Sequence, residues 1–167
     1  MLSESMLSML SDQYRHETIN ALKYAEAASW ANARGFVNIS AFFAKEAEGE
    51  RGHAKRVAQY IDDRNAALIV APFSYPDAIP VSDLPSLFQF AMLTEQGTTA
   101  ALSEILINAR MEGDFLTDAW LLGPEGLMLE QVEEENRYQT ILDRIAQYPD
   151  CPSRAHDLDT WIGEAFA

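Results

Sequence analysis

The sequence predicts an all-α protein in which four long helices form a bundle and a short fifth helix follows. Four segments repeat apolar residues at helical spacing, and no segment alternates like a strand over a useful length. A segment rich in proline separates the second long helix from the third. We expect a single domain over residues 1–167, because a chain of this length buries about two-thirds of its unfolded surface.

The first two helices are predicted to be joined by a short turn. The first covers about residues 4–34, and Gly35 stops it. The second starts near Asn38 or Ser40, because either side chain can cap a helix, and it ends near residue 64. So short a connection predicts that the two helices are antiparallel neighbours.

The segment 65–82 is predicted to be a long linker, since Pro72, Pro76 and Pro80 prevent a continuous helix. A helix of about 26 residues is roughly 39 Å long, whereas about 18 extended residues reach close to 60 Å. The linker can therefore cross the whole bundle, which an up-down-up-down bundle would not require.

The remaining helices follow the linker. The third begins at residue 82 or 83 with Pro85 in its first turn. The fourth covers about 113–147, so that the bundle spans about 4–147, and Gly123-Pro124 must kink or divide this helix. The short final helix, at about 155–165, is expected to dock in an assembly through an exposed apolar face of Leu158, Trp161 and Ile162.

Composition points to cations as partners. The formal net charge is -14, from 12 Lys+Arg and 26 Asp+Glu, which disfavours nucleic acid and anionic membranes. Cys151 is the only cysteine, so neither a disulfide framework nor a CxxC site is possible. The segment "MLSESMLSML" lacks a basic region, and no apolar run approaches the roughly 18 residues of a membrane span. We therefore expect a cytoplasmic protein.

Each of the four apolar stripes carries an acid. Buried ionised carboxylates must be protonated, paired with a basic residue or bound to metal, and no stripe contains lysine or arginine. Carboxylate oxygens together with an imidazole at the i, i+3 spacing suit two iron or manganese ions that share a carboxylate. The residues on the stripes are Glu17, Glu50 with His53, Glu95, and Glu134 with Gln131.

Any one of these residues, taken alone, is more often a satisfied polar residue than a ligand; the set of four favours metal. Glu46, one turn before Glu50, is either an accessory ligand or, as we favour, a rim acid. Tyr24 is either a hydrogen-bonded core tyrosine or an electron donor to metal. Periodicity directs Glu134 inward and leaves Glu135 on a solvated face.

The ordered motifs "RHETINALKY", "EGERGH", "LTEQ" and "LEQVEEE" resemble those of ferritins, specifically the non-haem bacterial type, over nearly the whole chain. The long crossover between helices two and three is the connection of ferritin-like bundles. The resemblance implies a ferroxidase centre with two irons per subunit. One iron would take Glu17, Glu50 and His53; the second would share Glu50 and add Glu95, with Glu134 as a further ligand. Gln131 would hydrogen-bond near the metals, and Tyr24 would match the tyrosine of the family.

The resemblance also implies a function. Ferritins assemble as homo-oligomeric 24-subunit cages, oxidise Fe(II) with O2 or H2O2 and store the product as ferric mineral. Arg51 stands where bacterioferritins carry a haem-ligating methionine, so no haem is expected. The alternative is a di-iron or di-manganese peroxidase or oxygenase on the same bundle that forms no cage. A catalytically silent subunit that only nucleates mineral is a third possibility.

Two features depart from the family pattern. Gly49 stands where many bacterial ferritins carry a glutamate of a third iron site, whereas Glu130 and Glu133 match other ligands of that site. The fourth helix is also about three residues longer around "LLGPEGL". That insertion affects the local path of helix four, the neighbouring three-fold channel of the family and the register of Leu116 to Leu122, and leaves the downstream "EQVEEE" in register.

Overall fold

The structure, a computed structural model, describes residues 1–72, 74, 76–124, 126–147 and 153–166. The described residues form six helices and no strand, which confirms the all-α prediction. No helix among them is both long enough and apolar enough to cross a membrane. The helices are α1 Glu4–Asn32, α2 Val37–Asp63, α3 Leu84–Glu112, α4 Phe115–Leu122, α5 Glu130–Gln147 and α6 Arg154–Ala165.

Two apolar clusters fill the core of the bundle, one around Leu10 and one around Tyr24. Both α1 and α5 run from the Leu10 cluster to the Tyr24 cluster, while α2 and α3 run in the opposite direction. Since α2 and α3 point the same way, the chain between them has to return along the full bundle. The predicted long crossover is thereby confirmed.

The crossover is held against α1 by side chains near both ends of that helix. The backbone N–H of Ile69 donates to Ser11 Oγ at 3.2 Å, and that of Ile79 donates to Glu26 Oε1 at 3.1 Å. Ser11 and Glu26 are fifteen positions apart, which corresponds to roughly 22 Å of helix. These contacts fix the crossover lengthwise along the bundle.

Helix α3 has the ends that the sequence predicts. Asp83 and Ser86 form a capping box, in which each side chain bonds the backbone N–H of the other residue, and a proline occupies the first turn. Gly113 ends the helix with φ of +71°, a left-handed conformation that favours glycine.

The beginning of α2 differs from the prediction. The helix starts at Val37, and neither Asn38 nor Ser40 caps it. Its cap comes instead from α6, where buried Asp159 accepts the backbone N–H of Ile39 at 2.9 Å and the side-chain amide of Asn38 at 3.0 Å. The prediction that Asn38 or Ser40 caps α2 was therefore wrong. The actual cap lies 120 residues further along the chain and leaves no local pattern in the sequence.

The predicted fourth helix is divided, as Gly123-Pro124 indicated. Helix α4 ends at Leu122, and α5 begins at Glu130. Between them the chain folds back tightly on α4, so that a Cβ atom at Gly126 would lie 2.1 Å from the carbonyl oxygen of Trp120 and 2.3 Å from that of Leu121. Only glycine allows this close approach.

The final helix packs against the bundle of its own chain rather than exposing its apolar face. Leu158 is 6% exposed and Ile162 is 1% exposed, and both belong to the Tyr24 cluster. Trp161 is partly buried against the same cluster. The expectation that α6 exposes this apolar face was therefore wrong, because the cluster already offers an apolar surface that spares these side chains from water. Docking of α6 in an assembly stays a prediction.

Candidate metal centre

A layer of polar side chains separates the two apolar clusters. Helices α1, α2 and α3 pass through this layer near their middles, α5 begins in it, and each contributes at least one polar residue. Glu17 is fully buried and Glu95 is 2% exposed. The other buried members that the sequence singled out are Glu50, His53 and Gln131. The layer places acids where only apolar residues would ordinarily be stable.

Three predicted ligands meet at its centre. Glu17, Glu50 and His53 each offer a ligand atom, and these atoms lie within 4.8 Å of one another. Nδ1 of His53 is 3.1 Å from Glu50 Oε2. Gln13, one turn before Glu17, donates its side-chain N–H to Glu17 Oε1 at 2.6 Å. Two oxygens and an aromatic nitrogen at this spacing are a donor set that iron or manganese accepts.

Glu95 lies on the side of the layer that faces Tyr24. The hydroxyl of buried Tyr24 donates to Glu95 Oε1. The side-chain N–H of Gln131 donates to Glu95 Oε2 at 3.2 Å and also lies 3.2 Å from the Glu95 carbonyl oxygen. Tyr24 and Gln131 therefore both orient the carboxylate of Glu95.

A second group forms on the other side of the same imidazole. Nε2 of His53 is 3.2 Å from Glu130 Oε2 and 3.7 Å from Glu134 Oε1, and the three residues could together hold a metal ion. Glu133, which we expected near Glu130, is exposed and belongs to neither group. Glu130 in turn accepts two hydrogen bonds from Arg56.

Burial and mutual repulsion hold protons on several of these acids. The pKa of Glu17 lies well above its ordinary value because of desolvation and, next, the charge of Glu50. Desolvation raises the pKa of Glu50 to about 8, and the charges of Glu95 and Glu46 add to it. Desolvation and the charges of Glu95 and Glu50 raise the pKa of Glu134 to about 10. The charge of Glu95 thus acts on an acid of each ligand group, Glu50 in the first and Glu134 in the second.

Basic side chains of the described residues do not neutralise the central acids. Arg137 pairs with Glu46 at 2.8 Å and Arg56 pairs with Glu130, but no lysine or arginine in this part of the chain forms an ion pair with the four acids on the stripes. Among the described residues, three buried side-chain oxygens accept no hydrogen bond, and metal ligation would satisfy them. They are Glu17 Oε2, Gln131 Oε1 and Glu134 Oε2.

Sequence reasoning missed Gln13, Arg56 and Arg137, each of which contacts an acid in or beside the polar layer. Gln13 lies at i−4 to Glu17 on the same helix face, so the helical period alone could have identified it. Arg56 and Arg137 lie at the margins of their stripes and reach acids on another helix. Nothing in the spacing of the sequence gives the partners of these two arginines.

Comparison with known proteins agrees with this geometry. A family model described as a ferritin-like domain matches residues 7–148. The chain belongs to the ferritin-like family. The ferritin-like chain is 29% identical over 150 residues to a bacterial non-heme ferritin of Staphylococcus aureus, covering 90% of this chain and 88% of that protein. The corresponding protein of Staphylococcus epidermidis is 27% identical over the same length.

Solved structures show the same fold. An open pore ferritin from the hyperthermophilic archaeon Archaeoglobus fulgidus superposes with a TM-score of 0.88, covering 97% of this chain and 96% of that chain at 22% sequence identity. A second structure of that ferritin gives a TM-score of 0.89 and covers 98% of both chains. The ferritin-like four-helix bundle with its short carboxyl-terminal helix is therefore established for this chain.

Proposed function

We propose that this chain is a ferritin subunit that oxidises Fe(II) at its buried carboxylate layer and stores the ferric product inside a homo-oligomeric cage, most simply a 24-mer. The proposal rests on the group of Glu17, Glu50 and His53, whose ligand atoms lie within 4.8 Å of one another. Among the described residues, no lysine or arginine forms an ion pair with these acids. The negatively charged chain also draws Fe(II) towards the protein.

Fe(II) is the substrate in this proposal. Glu17, Glu50 and His53 would hold one ion, and Glu95 and Glu134 would hold a second ion that shares Glu50. Two ions supply the two electrons that reduce O2 with two protons to H2O2, or H2O2 with two protons to water. Protons held by Glu50 and Glu134 in the metal-free protein leave as the ions bind, because ligands must be deprotonated.

The oxidation test uses a double variant, Glu50→Ala with His53→Ala, mixed with Fe(II) and O2 in a stopped-flow instrument. We expect the wild type to form Fe(III) rapidly and the variant to show only slow background oxidation. The matched control is Glu48→Ala with Arg51→Ala, which removes an exposed ion pair on the same helix. Equal rates in the wild type and the double variant would overturn the enzymatic part of the proposal.

Assembly is supported by exposed apolar side chains concentrated from the end of α3 to the start of α5. Apolar patches on a protein surface mark sites of protein contact, and contacts with further copies would cover these side chains. Electron microscopy and light scattering of the purified protein should show hollow spherical particles, whereas a small oligomer would favour the di-iron or di-manganese peroxidase or oxygenase. The residues are Ile107, Met111, Phe115, Leu116, Leu129 and Val132.

A further inference from the structure

His53 is the one imidazole of the candidate centre, and carboxylates face both of its ring nitrogens. Nδ1 lies 3.1 Å from Glu50 Oε2 on the inner side, and Nε2 lies 3.2 Å from Glu130 Oε2 on the outer side. An imidazole that ligates a metal through one nitrogen commonly donates its other N–H to a carboxylate, which fixes the ring. Glu130 lies where such an acceptor is needed.

Arg56 fixes the carboxylate of Glu130. One guanidinium nitrogen donates to Glu130 Oε1 at 2.7 Å and another to Oε2 at 2.5 Å. A two-point contact of this kind sets the orientation of the carboxylate as well as its position. Arg56 lies three residues after His53 on α2, whereas Glu130 is the first residue of α5. The arginine therefore holds an acid of α5 against the imidazole of its own helix.

We propose that Arg56 and Glu130 are positioning residues that hold His53 with Nε2–H towards Glu130 and Nδ1 towards Glu17 and Glu50. On this interpretation Glu130 acts through His53 and is not a ligand of an additional metal site. The inference rests on the proposed function, since it concerns the same centre.

A third metal site is the competing interpretation, because His53, Glu130 and Glu134 can also be grouped around one ion. Two observations argue against it. Both oxygens of Glu130 already accept hydrogen bonds from a cation, which reduces what they offer to a second cation. The other positions implied for such a site contribute nothing here, since Gly49 has no side chain and Glu133 belongs to neither ligand group.

Cobalt(II) distinguishes the two interpretations without any redox step. We would titrate the full-length, metal-free protein with Co(II), measuring affinity and the number of ions per subunit by calorimetry and the ligand field by visible absorption. The variants are Arg56→Gln, Glu130→Gln and Arg56→Lys. The control is Arg51→Gln, which breaks an exposed pair with Glu48 on the same helix.

Positioning predicts that Arg56→Gln and Glu130→Gln bind as many Co(II) ions as the wild type with affinity about 10–100-fold lower. It also predicts an altered visible band, because the imidazole is less well oriented. Arg56→Lys should recover part of the affinity, since lysine keeps the charge but not the two-point contact. The control should match the wild type.

Other results would overturn the inference in distinguishable ways. One ion fewer in Glu130→Gln, or one more in Arg56→Gln, would assign Glu130 to a third site. Unchanged affinity and spectrum in both variants would show that the ion pair has no effect on His53. Failure of the wild type itself to bind Co(II) would remove the proposed function together with this inference.

Discussion

Glu17 destabilises the metal-free protein, and the same carboxyl group favours the binding of a cation. Its carboxyl group is fully buried, one oxygen accepts from Gln13, and the negative charge of Glu50 opposes its ionisation. Folding must therefore either protonate this group or leave a charge in a dry environment, and both are unfavourable near neutral pH. A bound cation reverses the situation, because it needs the ionised form.

Glu17→Gln should stabilise the metal-free protein and weaken metal binding. The amide has nearly the same shape and needs no protonation, whereas burial raises the pKa of Glu17 well above its ordinary value, so we expect a higher free energy of unfolding and a higher Tm at neutral pH. Calorimetric melting of the metal-free protein and Co(II) titration measure the two effects. A lower Tm for the variant would contradict the argument.

The raised pKa values also predict how stability depends on pH. Glu50 and Glu134 have folded-state pKa values of about 8 and about 10, against an ordinary value of 4.5. Their contribution to stability is fully present below about pH 4.5 and is lost as the pH rises through the folded-state values. The Tm of the metal-free protein should therefore fall between about pH 5 and pH 9.

Metal should reduce this dependence, since the bound ion replaces the protons. With saturating Zn(II), the decline in Tm over the same range should be smaller than in the metal-free protein. Glu134→Gln, measured without metal, should also show a shallower decline. Identical slopes in all three samples would show that these carboxyl groups do not carry the effect.

At the scale of elements, the connection between α4 and α5 depends on one close approach. The backbone at Gly126 lies against the last turn of α4, and its N–H donates to the carbonyl of Gly123 at 3.0 Å. Leu127, the next residue, is 1% exposed and anchors the connection in the Leu10 cluster. Glycine is required at position 126 because a side chain would clash with α4, and not because the backbone adopts a positive φ.

Gly126→Ala should destabilise the protein by about 1–3 kcal/mol, because the added Cβ would meet two carbonyl oxygens of α4 and force the connection to move. Gly52→Ala is the matched control. Nothing lies within 4 Å of a Cβ atom at Gly52, which is inside α2, so this change should be neutral or stabilising by up to about 1 kcal/mol. Calorimetric Tm values would rank the two, and a tolerated Gly126→Ala would contradict the packing argument.

Two kinds of contact attach α6 to the bundle: a hydrogen-bonding cap on α2 and apolar packing in the core. Asp159 supplies the cap that α2 lacks, while Leu158 and Ile162 complete the Tyr24 cluster. Asp159→Ala should cost about 0.5–2 kcal/mol, as the loss of a helix cap generally does. The loss should be local, so limited proteolysis should cut near α6 faster than in the wild type. The control Asp157→Ala changes a neighbouring exposed acid and should not alter the cleavage rate.

For the whole molecule, the acidic composition should govern how fast iron reaches the centre. A formal net charge of -14 per chain attracts Fe(II) over a distance comparable to the Debye length, which shrinks from about 10 Å at 0.1 M salt to about 3 Å at 1 M. Initial Fe(II) oxidation rates under limiting iron should therefore fall as NaCl rises. At saturating iron the rate should change little, and an equal salt effect in both regimes would place the effect in the chemistry rather than in attraction.

Most of the fold and of the candidate site could be predicted from the helical spacing of apolar residues in the sequence. It located the long helices within a few residues, and the prolines before α3 predicted the crossover because proline excludes helix locally. It also selected Glu17, Glu50, Glu95 and Glu134 as inward residues, since a helix face is a property of spacing alone. Gln13 was within reach of the same reasoning.

Tertiary structure decided what joins residues that the sequence separates. The cap of α2 by Asp159 and the pairing of Arg56 with Glu130 cross between helices, where no local period relates the two partners. The apolar face of α6 was predictable, but the surface that covers it was not, because hydrophobic burial is non-directional and names no partner. The sequence by itself determined which side chains face inward; only the packing of the helices decided which of them meet.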